Sequence, residues 1–155
     1  MRLGTPRGIR NNNPGNIERN ATRWQGMALA QPDERFITFT HPVWGIRAIA
    51  RVLITYQDKH NLRRVDSIIR RWAPPPENDT AAYVASVNQQ LGIQPGQRID
   101  VYDYHTMLAL VRAIIRHENG AGPLPGGNWY GDALLAEGLL LAGIMPGVRH
   151  GEVPA

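Results

Sequence analysis

The sequence predicts a mainly α-helical fold that carries a small N-terminal lobe of loops and a little β structure. Three observations predict it. From Trp44 onward, apolar residues recur at the spacing of one helix face. Before position 40 that period is missing, and Asn, Pro and Gly crowd together instead. Hydrophobic residues make up 43% of the 155 and charged residues 19%, which supports one core and excludes a disordered polyelectrolyte. The length predicts a single domain over 1–146 followed by a C-terminal tail over 147–155.

Each element has its own reason. Residues 8–40 read as the loop-rich lobe, because Arg7-Gly-Ile-Arg-Asn-Asn-Asn-Pro-Gly-Asn-Ile17 is turn chemistry and Trp24-Gln-Gly-Met reads as another bend. Arg35-Phe-Ile-Thr-Phe39 is β-branched and aromatic, so it predicts a short strand. Trp44, Ala48, Val52, Leu53 and Tyr56 predict an amphipathic helix over 43–59. Val65, Ile68, Ile69 and Trp72 predict a second, stopped by Ala73-Pro-Pro-Pro76 because proline lacks the amide donor a helix needs. A third begins at a cap on Asn78 or Asp79, carries Tyr83, Val84, Val87 and Leu91 on one face, and ends at Gly92. Asp103 caps a fourth, striped by Met107, Val111, Ile114 and Ile115 and closed by Gly120. A Gly/Pro loop over 120–128 leads to a Leu-rich last helix over 132–142.

Composition removes several chemistries. There is no cysteine, hence no disulfide, thiol nucleophile or Cys-ligated zinc. The only serines, Ser67 and Ser86, lie outside any Gly-x-Ser-x-Gly setting. The five histidines show no His-Glu-x-x-His pattern, so no metal and no cofactor is expected. No apolar run is long enough to span a membrane, and no secretory signal opens the chain. The net charge of +4 is carried by sixteen arginines and one lysine. Arginine contacts phosphate, yet Arg63, Arg64, Arg70 and Arg71 form the only local cluster and no nucleic-acid motif accompanies them. No specific nucleic-acid partner is expected.

Glu118 is the singular residue. It stands seven after Val111, four after Ile114 and three after Ile115, which sets a carboxylate on an apolar stripe in a helix's last turn. Burial and the negative end of the helix dipole both disfavour an anion there. A carboxyl group kept protonated is what a general acid requires. The plainer alternative is a helix-end glutamate paired with Arg112 or Arg116. Among the other carboxylates, Glu18 would sit in the lobe and is a candidate both for a second catalytic group and, as the main rival, for the acid itself, the plainer alternative being a solvated loop charge. Glu77 and Asp132 are weaker candidates for a second carboxylate. The amides of Asn11, Asn12, Asn13, Asn16 and Gln25 have the donors and acceptors that N-acetyl and hydroxyl groups need, although Asn13 and Asn16 suit turn stabilisation better. Trp24, Trp129 and Tyr130 offer rings for stacking on sugars, whereas Trp72 belongs to a helix's apolar stripe.

A resemblance sharpens these readings. Ala113-Ile-Ile-Arg-His-Glu-Asn-Gly120 resembles the glutamate-bearing helix end of soluble lytic transglycosylases and goose-type lysozymes. The run over 7–17, followed by Trp24-Gln-Gly26, Gly45-Ile-Arg-Ala48, Arg71-Trp-Ala-Pro-Pro75, Glu77-Asn-Asp-Thr80 and Tyr83, resembles phage and prophage virion proteins of lysozyme-like type. Together these motifs cover roughly residues 7 to 143. They imply a lysozyme-like α+β fold and cleavage of the MurNAc–GlcNAc β-1,4 bond of peptidoglycan, by hydrolysis or transglycosylation. They also imply glycan strands as substrate, other virion or delivery-system proteins as neighbours, and a place in a virion, or in the cytoplasm before release to periplasmic peptidoglycan. The alternative is a non-catalytic virion module that keeps the fold. Two departures stand out. The loop Gly122–Trp129 is longer and richer in glycine than the family pattern, and the glutamate helix follows the lobe instead of preceding it. A circular permutation would reconcile that order, because domain termini tend to lie close together.

Overall fold

The computed structural model describes residues 4–74 and 80–147. Within them the fold is mainly helical, with six α-helices: α1 (Arg7–Arg10), α2 (Pro42–His60), α3 (Val65–Trp72), α4 (Thr80–Leu91), α5 (Tyr104–Asn119) and α6 (Asp132–Leu141). The expected cap at Asn78 or Asp79, the Glu77 candidate and the tail beyond 147 lie outside the described residues.

The long helices start and stop for local reasons. His41 Nδ1 accepts from the Val43 amide and Pro42 fills the first turn of α2, where its missing N–H matters least. Asn61 closes that helix in the left-handed region at φ 53°. Asp103 accepts from the Thr106 amide at 3.0 Å to open α5, as its sequence position implies. Ile46, Ile49 and Leu53 of α2 meet Ile68 and Ile69 of α3, Leu110 and Ile114 of α5, and Leu139 of α6 in the main core. Where α6 crosses α2, Gly138 lets the backbones approach, since a Cβ there would stand 2.5 Å from Ile46 Cγ2.

The lobe departs from its expected form in two ways. Arg7–Arg10 closes into one helical turn before the Asn run. In place of a strand over 35–39 there are two isolated antiparallel bridges, Glu18 with Phe36 and Met27 with Phe39. Side chains supply what a ladder would have provided. Asn13, fully buried, donates to the Ile17 and Ile37 carbonyls and accepts from the Ile17 amide. Asp33 accepts from Arg7 through both carboxylate oxygens, from Asn11, and from the Arg35 and Phe36 amides. A second apolar cluster of Ile17, Ile37, Phe39 and Ala48 backs this lobe onto α2.

Trp72 bridges the two clusters. It is half-buried rather than enclosed, packing on both clusters and edge-on to Tyr56 at 6.2 Å. Among the described residues no helix is long and apolar enough to cross a membrane.

Candidate active site at the seam of lobe and helix

The lobe closes onto the C-terminal end of α5. Asn119, buried, donates to the Pro14 carbonyl at 2.8 Å across 105 positions of chain. The Asn12-Asn13-Pro14-Gly15-Asn16 turn needs the left-handed conformation at Asn12 and Asn16, which asparagine tolerates better than most side chains. That conformation aims Asn16 at the helix, and its Nδ2 donates to Glu118 Oε1 at 3.1 Å. Gly8 makes the approach possible. A Cβ on Gly8 would sit 2.7 to 2.8 Å from Asn119 Oδ1, the Asn13 carbonyl and Asn16 Oδ1.

Glu118 is half-buried at this seam. Burial pushes its carboxyl above the ordinary value of 4.5, opposed by the Asn16 hydrogen bond and by the charges of His117 and Arg35. Neither Arg112 nor Arg116 forms the pair that the plainer reading would need. Arg112 is bound to Asp132, and Arg116 donates to the Gly126 carbonyl. Tyr83 adds a buried hydroxyl with no hydrogen-bond partner, its ring 4.6 Å from that of His117. Burial, and then the charge of Glu118, raise the Tyr83 phenol above its usual range.

The candidate for a second carboxylate, Glu18, lies in the lobe. Glu18 is exposed, and Arg35 holds it through Nε at 2.8 Å and Nη2 at 2.7 Å. The charge of Arg35 also reaches Glu118, so one guanidinium relates the two acidic groups. Asp132 is exposed and tied to Arg112 of α5.

Several candidate binding groups are occupied inside the protein. Asn11 donates to Asp33 and accepts from Thr38, and Asn12 donates to the Phe39 carbonyl. Asn16, expected to suit turn stabilisation better than binding, is the amide that meets Glu118. Gln25 is exposed, while Trp24 is half-buried against the lobe's apolar cluster. Trp129 is not the open platform its loop position implied. Its ring packs on the main core and its indole N–H donates to the Gly120 carbonyl at 2.9 Å, which folds the long glycine loop back on itself. Tyr130 packs on the core as well, and burial pushes its phenol up to about 12. Among the described residues no cluster of His, Asp or Glu could hold a metal ion.

Comparison with known proteins adds the kinship. Over 120 residues the chain is 42% identical to Protein P5 of Pseudoalteromonas phage PM2, covering 76% of this chain and 73% of that protein. The chain belongs to the P5 family of phage proteins. No protein-family model matches it.

Within this P5-family chain, sequence reasoning missed Asp33, Arg35 and Tyr83 as parts of the site or its support. Asp33 had a readable signal. Pro32-Asp-Glu-Arg-Phe36 places an Asp two and three residues before the amides it accepts from, which is Asx-turn spacing. Arg35 had none, because it acts through long-range contacts, and Tyr83 was marked only by its helix face and its place among the virion-protein motifs.

Proposed function

We propose that this P5-family phage protein cleaves the MurNAc–GlcNAc β-1,4 bond of peptidoglycan, with Glu118 as general acid. The single observation that carries the reading is the half-buried Glu118 at the seam, raised by burial and held in place by the amide of Asn16. A protonated carboxyl can give its proton to the leaving glycosidic oxygen. Asn16 leaves Oε2 as the oxygen free to carry it. Glu18 then has two roles open to it. In hydrolysis it orients water once Arg35 lets go; in transglycosylation the muramyl 6-hydroxyl is the internal nucleophile and Glu18 is not needed. The lysozyme-like motifs support the substrate class. Contact between lobe and α5 supports the permuted order, because it sets the Asn12–Asn16 turn against Glu118 although the lobe comes first in the chain.

A second reading has its own support. Glu18 is ion-paired, and Asn11 and Asn12 are engaged within the lobe, as a non-catalytic virion module with a lysozyme-like fold would have them. Kinship with a phage protein supports this reading without requiring an active carboxylate. Digestion of purified sacculi followed by mass spectrometry separates the two. Cleavage by wild type should fall by about 10²–10⁴ in Glu118→Gln, since that is the usual worth of positioned proton transfer. Anhydro-muropeptides would mark transglycosylation and reducing ends hydrolysis. Intact sacculi with the wild-type protein would establish the structural module instead.

A further inference from the structure

A groove of about 810 Å³ runs between α4 and α5, a volume typical of ligand sites. It adjoins Glu118 without containing it, since the neighbouring α5 residue His117 lines the groove together with Tyr83, whose phenol feels the Glu118 charge. Its charge is one-sided. Among the described residues that line it there is no carboxylate, whereas Arg112 and Arg116 are cations on its walls, beside the imidazoles of His105 and His117. Arg116 is exposed and has no acidic partner among the described residues. Arg112 is bound to Asp132, and its Nε is buried without a hydrogen-bond partner. Between these cations the walls are small and apolar, at Leu108 and Ala109 for example.

We propose that this groove receives the stem peptide of peptidoglycan, with the guanidinium of Arg116 binding its carboxylates. The inference rests on the reading of Glu118 as the glycosidic acid. The stem peptide hangs from the muramyl sugar beside the bond that Glu118 would cleave, so a peptide site must lie next to the acid rather than around it. Stem peptides combine alanyl methyl groups with free carboxylates, which matches apolar walls interleaved with cations. A phosphate strand fits less well. It would favour a continuous row of exposed cations with free aromatic faces, and the Tyr83 ring is already covered by His117.

The test uses the full-length chain and a sugar-free synthetic peptide, Ala-γ-D-Glu-diaminopimelate-D-Ala. In an NMR titration the imidazole signals of His105 and His117 should shift saturably. Arg116→Gln should weaken binding about tenfold while leaving the melting temperature unchanged, and Arg116→Lys should restore part of it. Absence of a saturable shift overturns the proposal. So does tighter binding of a single-stranded DNA oligonucleotide at the same signals, which would make the groove a nucleic-acid site. Because peptide binding needs no turnover, the two readings fail separately. Cleaved sacculi with no peptide binding would remove the groove's role alone; peptide binding with fully active Glu118→Gln would remove the acid alone.

Discussion

Glu118 sits where local structure opposes it. It occupies the last turn of α5, where the helix dipole disfavours an anion, and it is half-buried as well. Its folded carboxyl therefore holds a proton at higher pH than the ordinary 4.5. Between 4.5 and the raised value the folded chain binds more protons than the unfolded one, so stability falls as pH rises through that window. Glu118→Gln keeps an oxygen for Asn16 and removes the charge. It should melt above wild type near neutral pH, with the gap closing as pH falls toward 4.5. Melting curves across that range check the sign; a gap independent of pH would contradict it. Asp33 behaves in the opposite sense. Arg7 first, and then the Phe36 amide, hold its carboxyl far below the usual range. Asp33→Asn should melt below wild type at neutral pH. Its deficit should narrow as pH drops below about 3.8, where the unfolded wild-type carboxylate takes up its proton.

At the scale of elements, the helices were legible and the lobe was not. A repeat of three to four residues is written locally, so α2, α3 and α5 lie close to where Trp44–Tyr56, Val65–Trp72 and Met107–Ile115 put them. The lobe is built from bonds such as Asn13 to Ile37 and Asn11 to Asp33, which join positions 24 and 22 apart and leave no periodic trace. The same limit applies to the site. A carboxylate on an apolar stripe could be counted out along α5, but nothing near Asn16 announces a partner 102 residues away. Helix crossings are equally silent until the structure explains them. Gly138 lies inside the Leu-rich run of the last helix with nothing to mark it, yet it is where α6 meets Ile46 of α2. Gly138→Ala should favour the isolated helix slightly but overpack the crossing, for a net loss of about 1–3 kcal/mol. Leu140→Ala, two residues on and 53% exposed, should change stability by no more than about 0.5 kcal/mol. Equal denaturation midpoints for the two variants would show that the crossing can relax.

For the whole molecule, the question is what makes lobe and helices one unit. Polar ties include Asn119 to Pro14 and Asn16 to Glu118. The apolar tie is Trp72, which alone among the tryptophans packs against both clusters. It also lies beneath the Asn12–Asn16 turn, since a Cβ on Gly15 would come within 3.0 Å of its ring. Removing it should therefore act at two distances. Locally, Trp72→Ala loses aromatic packing and leaves a cavity, for about 3 kcal/mol, the low end for such changes because part of the ring is exposed. At longer range the Asn12–Asn16 turn loses its floor, and with it the orientation of Asn16 toward Glu118. Hydrogen exchange should then show protection falling across residues 8–40 while amides in the middle of α5 keep theirs, because local opening becomes easier than global unfolding. Sacculus cleavage should fall along with lobe protection. Uniform loss of protection in both parts would instead make Trp72 a core residue like any other and place the coupling in the polar ties.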